Sequence, residues 1–204
     1  MKTRIIITFF IITLIPLLWI SCNGNQAPDS KSTPDNQKSN GGFKDQVEYG
    51  RHLVAIIGCN DCHTPKKMTA MGPVPDTSLL LSGHPANSPF PDVNRKEMEA
   101  KRLAVTGDLT AWAGPWGISY ADNLTPDSTG IGNWTEQQFS RAIREGKWKG
   151  LKDSRQLLPP MPWQEFSNMT DDEVSAIFAY LKSIKPIHNV VVPADPPVSA
   201  AHHG

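Results

Sequence analysis

Apolar positions are spread unevenly along this chain, and the unevenness divides it. Residues 5–20 are apolar except for Thr8, Thr13 and Pro16, with Lys2 and Arg4 ahead of them. The run is shorter than the roughly 20 residues a membrane span needs. A basic start followed by a short apolar run is the layout of an export signal. Residues 23–42 hold no large apolar side chain. They read as a flexible tether, reaching about 25 Å.

From Asp45 the apolar residues take helical spacing. Val47, Gly50, Leu53, Val54 and Ile57 predict an amphipathic helix over 45–58. A mid-helix glycine costs about 1 kcal/mol relative to alanine, so Gly50 predicts a close helix crossing. Between 64 and 118 the periodicity fails. Gly72-Pro73, Pro75, Pro85, Pro89, Pro91 and Gly114-Pro115 interrupt it, and only Arg95–Leu103 is helix-prone. The rest reads as a long ordered loop, a length that normally serves function.

Helical spacing returns after Trp134. Thr135 with Gln138 forms a capping box, Phe139, Ala142 and Ile143 make one face, and Gly146 ends the helix. The last helix opens on Thr170 with Glu173, flanked by Met169 and Val174 as a hydrophobic staple. Val174, Ile177, Phe178 and Leu181 form its apolar face, and Pro186 stops it. This predicts a signal over 1–21, a tether over 22–44, one all-α domain over 45–186, and a Pro-rich tail over 187–204 that ends His202-His203-Gly204.

The chemistry enters with Cys59-Asn60-Asp61-Cys62-His63. C-x-x-C-H is the attachment signature of a c-type haem: two thiols form thioethers to the vinyl groups, and the histidine ligates the iron. Three other uses of such a pair are a thioredoxin-like redox site, half a zinc site and a structural disulfide. No strand pattern precedes Cys59, and no second cysteine pair exists.

The third cysteine, Cys22, follows Trp19-Ile20-Ser21 just past the apolar run. A small residue before a cysteine there is the pattern of a lipoprotein box, although Trp19 stands where leucine is usual. Lipidation at Cys22 would leave no cysteine unassigned and would anchor an exported domain, periplasmic or on the cell surface, to a membrane. Haem attachment of this type also requires export. The 20 basic and 20 acidic residues cancel; cleavage before Cys22 removes Lys2 and Arg4, leaving 18 against 20. No basic stripe suited to nucleic acid is present.

One face of the iron remains. Leu158-Pro159-Pro160-Met161-Pro162-Trp163 offers Met161 on a loop stiffened by three prolines. Met169 serves as a staple, Met98 lies on the polar segment, and Met68 and Met71 follow His63 too closely. Among histidines His84 is the alternative. His63/Met161 ligation favours ferrous iron and single-electron transfer between redox protein partners. An open or labile sixth position would instead suit a gas-binding sensor or a haem peroxidase.

These residues together resemble the class I cytochromes c. The first helix, Cys59-x-x-Cys62-His63, Pro-Pro-Met161-Pro-Trp and Ala176-Ile177-Phe178-Ala179-Tyr180-Leu181 carry the likeness. The stretch from Asn123-Leu124-Thr125-Pro126 to Trp134 and Phe139 is similar to cytochrome c subunits of periplasmic dehydrogenases. Those often carry two or three haem motifs, whereas this chain has one. The resemblance implies a fold of three to five helices around one haem c, with a long loop after the motif wrapping a haem edge. It also implies that the Pro73 carbonyl accepts from His63 and that Trp134 contacts a propionate. Asn123, Trp148 and Trp163 would be further haem neighbours, and Gly50 would meet Tyr180 or Phe178.

Overall fold

A carboxylate opens the first helix. Asp45 accepts the Glu48 N–H at 2.9 Å and caps Gln46–Ile56 (α1). The computed structural model describes residues 39–91, 94–101 and 104–198. The predicted signal and Cys22 lie outside the described residues. No helix among them is long and apolar enough to cross a membrane.

The described residues hold six α-helices. Cys59–His63 (α2) follows α1 directly. Arg95–Lys101 (α3) lies in the helix-prone segment. Glu136–Glu145 (α4) has the Thr135–Gln138 capping box and ends at Gly146, which is left-handed. Trp163–Phe166 (α5) is a single turn. Asp171–Ser183 (α6) opens on the Thr170–Glu173 box.

The frame is α1 packed across α6, with α4 beside it. A Cβ on Gly50 would lie 1.8 Å from the Ala176 carbonyl oxygen and 2.8 Å from Tyr180 Cβ. Only glycine allows that approach, so the crossing partners are Ala176 and Tyr180. Leu53, Val54, Phe139, Ile143, Val174, Ile177 and Leu181 fill the core between the helices. Burying each such side chain contributes about 1.5–3 kcal/mol. Leu81 and Ile131 join them from the intervening segments.

The segment after the cysteine motif departs from the expected loop, and the chain is therefore not purely helical. Lys66–Thr69 (β1) and Gly72–Pro75 (β2) form an antiparallel hairpin. Ala104–Val105 (β3), Ala111–Gly114 (β4) and Gly117–Tyr120 (β5) form a three-stranded antiparallel sheet. Strands of two to four residues are too short to display an alternating pattern. Pro73 and Pro75 fit because both strands of a two-stranded hairpin are edges.

The tail also departs from expectation. Residues 187–195 dock against the insert, the segment from 64 to 118 that follows the cysteine motif, rather than trailing from the domain. Asn189 donates to the Ser82 and His84 carbonyls at 2.7 and 2.8 Å. Ile118 and Asp195 exchange N–H···O bonds of 2.9 and 3.0 Å. Gly117, at φ 93°, leaves room for the Asp195 carbonyl, which a Cβ would meet at 2.0 Å. Sequence polarity hid this contact because nearly every bond in it has a backbone N–H or C=O on one side.

Candidate haem-attachment site

The attachment helix starts at Gly58, left-handed at φ 75°. Cys59 and Cys62 are three apart and share one side of α2. Both are half-buried free thiols. Burial pushes the Cys59 thiol up to about 12 and also raises Cys62. A dithiol redox centre needs the reverse, a depressed thiol. No group of three or more His, Cys, Asp or Glu among the described residues is placed to hold a metal ion.

His63 has one nitrogen committed. Its Nδ1–H donates to the Asp122 carbonyl at 2.8 Å. Burial holds the imidazole pKa below its usual value, with the Asp122 bond opposing. A neutral ring with Nδ1 protonated keeps its lone pair on Nε2, the nitrogen a metal takes. The carbonyl fixes ring rotation and raises ligand basicity. Two free thiols beside such an imidazole fit a haem c held by two thioethers and one axial nitrogen.

Several contacts back this helix. Thr64 is fully buried; its hydroxyl donates to Asn60 Oδ1 at 3.1 Å and accepts the Leu81 N–H at 2.9 Å. Lys66 Nζ donates to the Asn60 carbonyl at 3.3 Å, to the Thr64 carbonyl at 2.8 Å, and to the Asp61 carbonyl. It thereby satisfies carbonyls that the helix end leaves free. The Gly83 N–H donates to the His63 carbonyl at 2.9 Å, and the His84 N–H to the Ala121 carbonyl at 2.8 Å. A Cβ on Gly83, at φ 77°, would lie 2.5 Å from the Ala121 oxygen and 2.6 Å from the Asp122 carbonyl carbon. That glycine lets residues 121–122 come close enough for Asp122 to reach His63.

The acceptor is thus Asp122 and not Pro73, which lies exposed on β2 opposite Met68. The expectation failed because the insert places a distant segment against His63, where spacing along the chain suggested a near one. Both ring nitrogens of His84 are engaged by the protein. The residue is buried, with Nδ1 2.7 Å from Thr110 Oγ1 and Nε2 2.5 Å from the Ser88 carbonyl, and its ring packs 5.0 Å from Tyr120. Neither nitrogen is free for iron.

Met161 is half-buried. Its N–H donates to the Leu158 carbonyl at 3.3 Å, and its carbonyl accepts from Trp163 at 3.0 Å. Trp163 covers Gly146, where a Cβ would lie 2.3 Å from the ring. Trp134 is half-buried against the helical core. The Trp148 ring has Lys149 Nζ at 4.7 Å and the Arg155 guanidinium at 5.0 Å from its centroid. Asn123 is buried, and its amide serves the protein. It donates to Thr129 Oγ1 at 3.1 Å and to the Ile187 carbonyl at 2.9 Å, and accepts from the Thr125 N–H at 2.9 Å. Asp122 and Gly83 escaped the sequence because they act through backbone. The one available signal was the left-handed glycine in Ser82-Gly83-His84-Pro85.

Comparison with known proteins agrees with this chemistry. The family model for cytochrome c matches residues 47–185. One of the nicotinate dehydrogenase subunits of Pseudomonas putida is 43% identical over 142 residues, which is 69% of this chain and 9% of that protein. The fructose dehydrogenase cytochrome subunit of Gluconobacter japonicus is 40% identical over 143 residues, 69% of this chain and 22% of that subunit. The cytochrome c subunit of a quinone alcohol dehydrogenase from Gluconobacter oxydans is 39% identical over 75 residues, 36% of this chain and 15% of that subunit. The chain therefore spans less than a quarter of the length of these relatives.

Proposed function

This chain belongs to the cytochrome c family, and we propose that it relays single electrons between redox proteins on the exported side of a membrane, tethered by lipid at Cys22. Haem c, when bound, supplies a one-electron couple whose potential follows its axial ligands. The chain's own residues do the rest. Cys59 and Cys62 would hold the group, and His63 and Met161 would ligate its iron. Trp134 and Trp163 would border it.

The carrying observation is the His63 imidazole, with Nδ1 committed to the Asp122 carbonyl at 2.8 Å beside two free thiols. Engagement of both His84 nitrogens supports Met161 as the second ligand. With His63 and Met161 both ligating, the site would suit electron transfer rather than catalysis on a substrate. The named relatives make a dehydrogenase a reasonable electron donor. The polar residues after Cys22 would let the domain turn toward donor and acceptor.

Ferric spectra test the ligand pair. A weak far-red charge-transfer band is expected from a methionine–iron bond, whereas a high-spin spectrum without it points to a sensor or peroxidase. Fractionation tests the anchor. Cys22→Ser is expected to give a soluble, haem-loaded protein. Absence of fatty-acid label on wild type would remove the lipid assignment.

A further inference from the structure

We infer that the segment from Ser119 to Asp122 braces both ligand-bearing loops, with Ser119 as the positioning residue for Met161. The inference rests on the reading of Met161 as the sixth ligand. Ser119 is buried on β5. Its hydroxyl accepts from Trp116 Nε1–H at 3.2 Å and donates to the Pro159 carbonyl at 2.5 Å. The Trp112 carbonyl, at 3.5 Å, is a much weaker acceptor. An indole N–H only donates and a carbonyl only accepts, so the direction of this chain is fixed.

Pro159 lies two residues before Met161. Pro159, Pro160 and Pro162 have no N–H, so the loop is held chiefly through its carbonyls. Ser119 grips one of them from outside the loop. Three residues further along the same backbone, the Asp122 carbonyl takes the His63 Nδ1–H. An extended segment covers about 10 Å in three residues. One short piece of chain therefore reaches from the Met161 loop to the His63 helix.

That piece is itself fixed on both sides. On one edge Trp112 pairs with Ser119 and Ala111 with Tyr120. On the other, Ile118 pairs with Asp195 of the docked tail. Gly114 permits the arrangement, since a Cβ there would lie 2.5 Å from the Trp116 ring. The insert sheet contributes little to the helical core. A structural reason for it is that it sets where the two ligand loops stand relative to each other.

Imidazole titration of ferric holoprotein, followed by loss of the far-red band, tests this. Wild type must show the band; without it the Met161 reading fails, and this inference falls with it. Given the band, Ser119→Ala is expected to raise the apparent imidazole affinity about three- to ten-fold, the effect of one lost hydrogen bond on Met161 ligation. Its reduction potential should fall, while covalent haem content stays that of wild type. Ser119→Thr, which keeps the hydroxyl, should return most of the difference. Trp116→Phe, which removes the donor to Ser119 together with the outer indole ring beside Gly114, should shift affinity the same way by less. Unchanged imidazole affinity in Ser119→Ala overturns the brace. If that variant does not accumulate with haem, Trp116→Phe decides, and an affinity equal to wild type overturns it.

Discussion

The two segments that carry the candidate ligands are held in different ways. His63 sits in a helix fastened by Thr64, Lys66, Gly83 and Asp122, so both its backbone and its ring are fixed. Met161 sits in a loop stiffened from within by prolines and gripped from outside at Pro159 by Ser119. One side gains rigidity from many tertiary bonds, the other from local covalent constraint. A local constraint fixes a loop's shape but not where it stands. The sulfur side should therefore be the one that yields when the protein is stressed.

The largest effect should come from breaking the first side covalently. Cys59→Ala with Cys62→Ala is expected to abolish covalent haem and leave the domain poorly folded, because the binding energy that the group would add to folding is lost with it. Haem staining after denaturing electrophoresis reads this directly, and a stained band in the double variant would refute the attachment. Gly83→Ala should come next. A left-handed backbone costs a non-glycine residue about 1–2 kcal/mol, and the collision with residues 121–122 adds a similar amount. A loss of about 3 kcal/mol in urea unfolding is expected from these two costs together, with altered His63 ligation. A loss under about 0.5 kcal/mol, the usual range for surface changes, would show that residues 121–122 are not held there by glycine.

Met161→Ala should cost less stability and change more of the function. Covalent haem should persist, the far-red band should vanish, and the potential should fall, since a thioether favours ferrous iron. Carbon monoxide should gain access to the ferrous protein. His84→Ala should leave band and potential unchanged while losing about 1–3 kcal/mol from its buried, bonded site. If the two variants exchange these phenotypes, the second ligand is His84 and the ring must leave the pocket that holds it.

The contrast also explains what the sequence could disclose. α1, α4 and α6 were legible because their apolar spacing and caps are local signals, and Gly50 marked the crossing. Cys59, Cys62 and His63 were legible because attachment needs those side chains at that spacing. The insert was not, because its strands are two to four residues long and paired by backbone. Asp122 was missed for a related reason: a carbonyl has no residue type. Ser119, an ordinary serine in Gly117-Ile118-Ser119-Tyr120, acquires its role only from a contact 40 positions away.

The smallest predicted effect separates the two sides by acid. Asp76 lies in the turn between β2 and Leu81, on the His63 side. Its carboxylate accepts the Ser78 hydroxyl at 2.6 Å and the Ser78 N–H at 3.0 Å, and pairs with Lys67 at 3.1 Å. The Ser78 hydroxyl, and then the Lys67 bond, hold its pKa below the ordinary carboxylate value. A carboxyl with a depressed folded pKa stabilises the protein above its unfolded pKa, and that contribution disappears as pH falls through the folded value. Asp76→Asn keeps an acceptor for the Ser78 N–H but not the charge. The urea midpoint of wild type should therefore exceed that of the variant at neutral pH, by less than the Met161→Ala shift. The gap should begin to narrow once pH drops below about 4, the unfolded carboxylate range, and close only as pH falls through the lower folded value. The far-red band, reporting the Met161 side, should be the same in both proteins over this range. A gap that persists in acid would mean that Asp76 acts through its shape and not its charge. A band that changes with Asp76→Asn would mean that the two sides are coupled more tightly than the single grip at Pro159 allows.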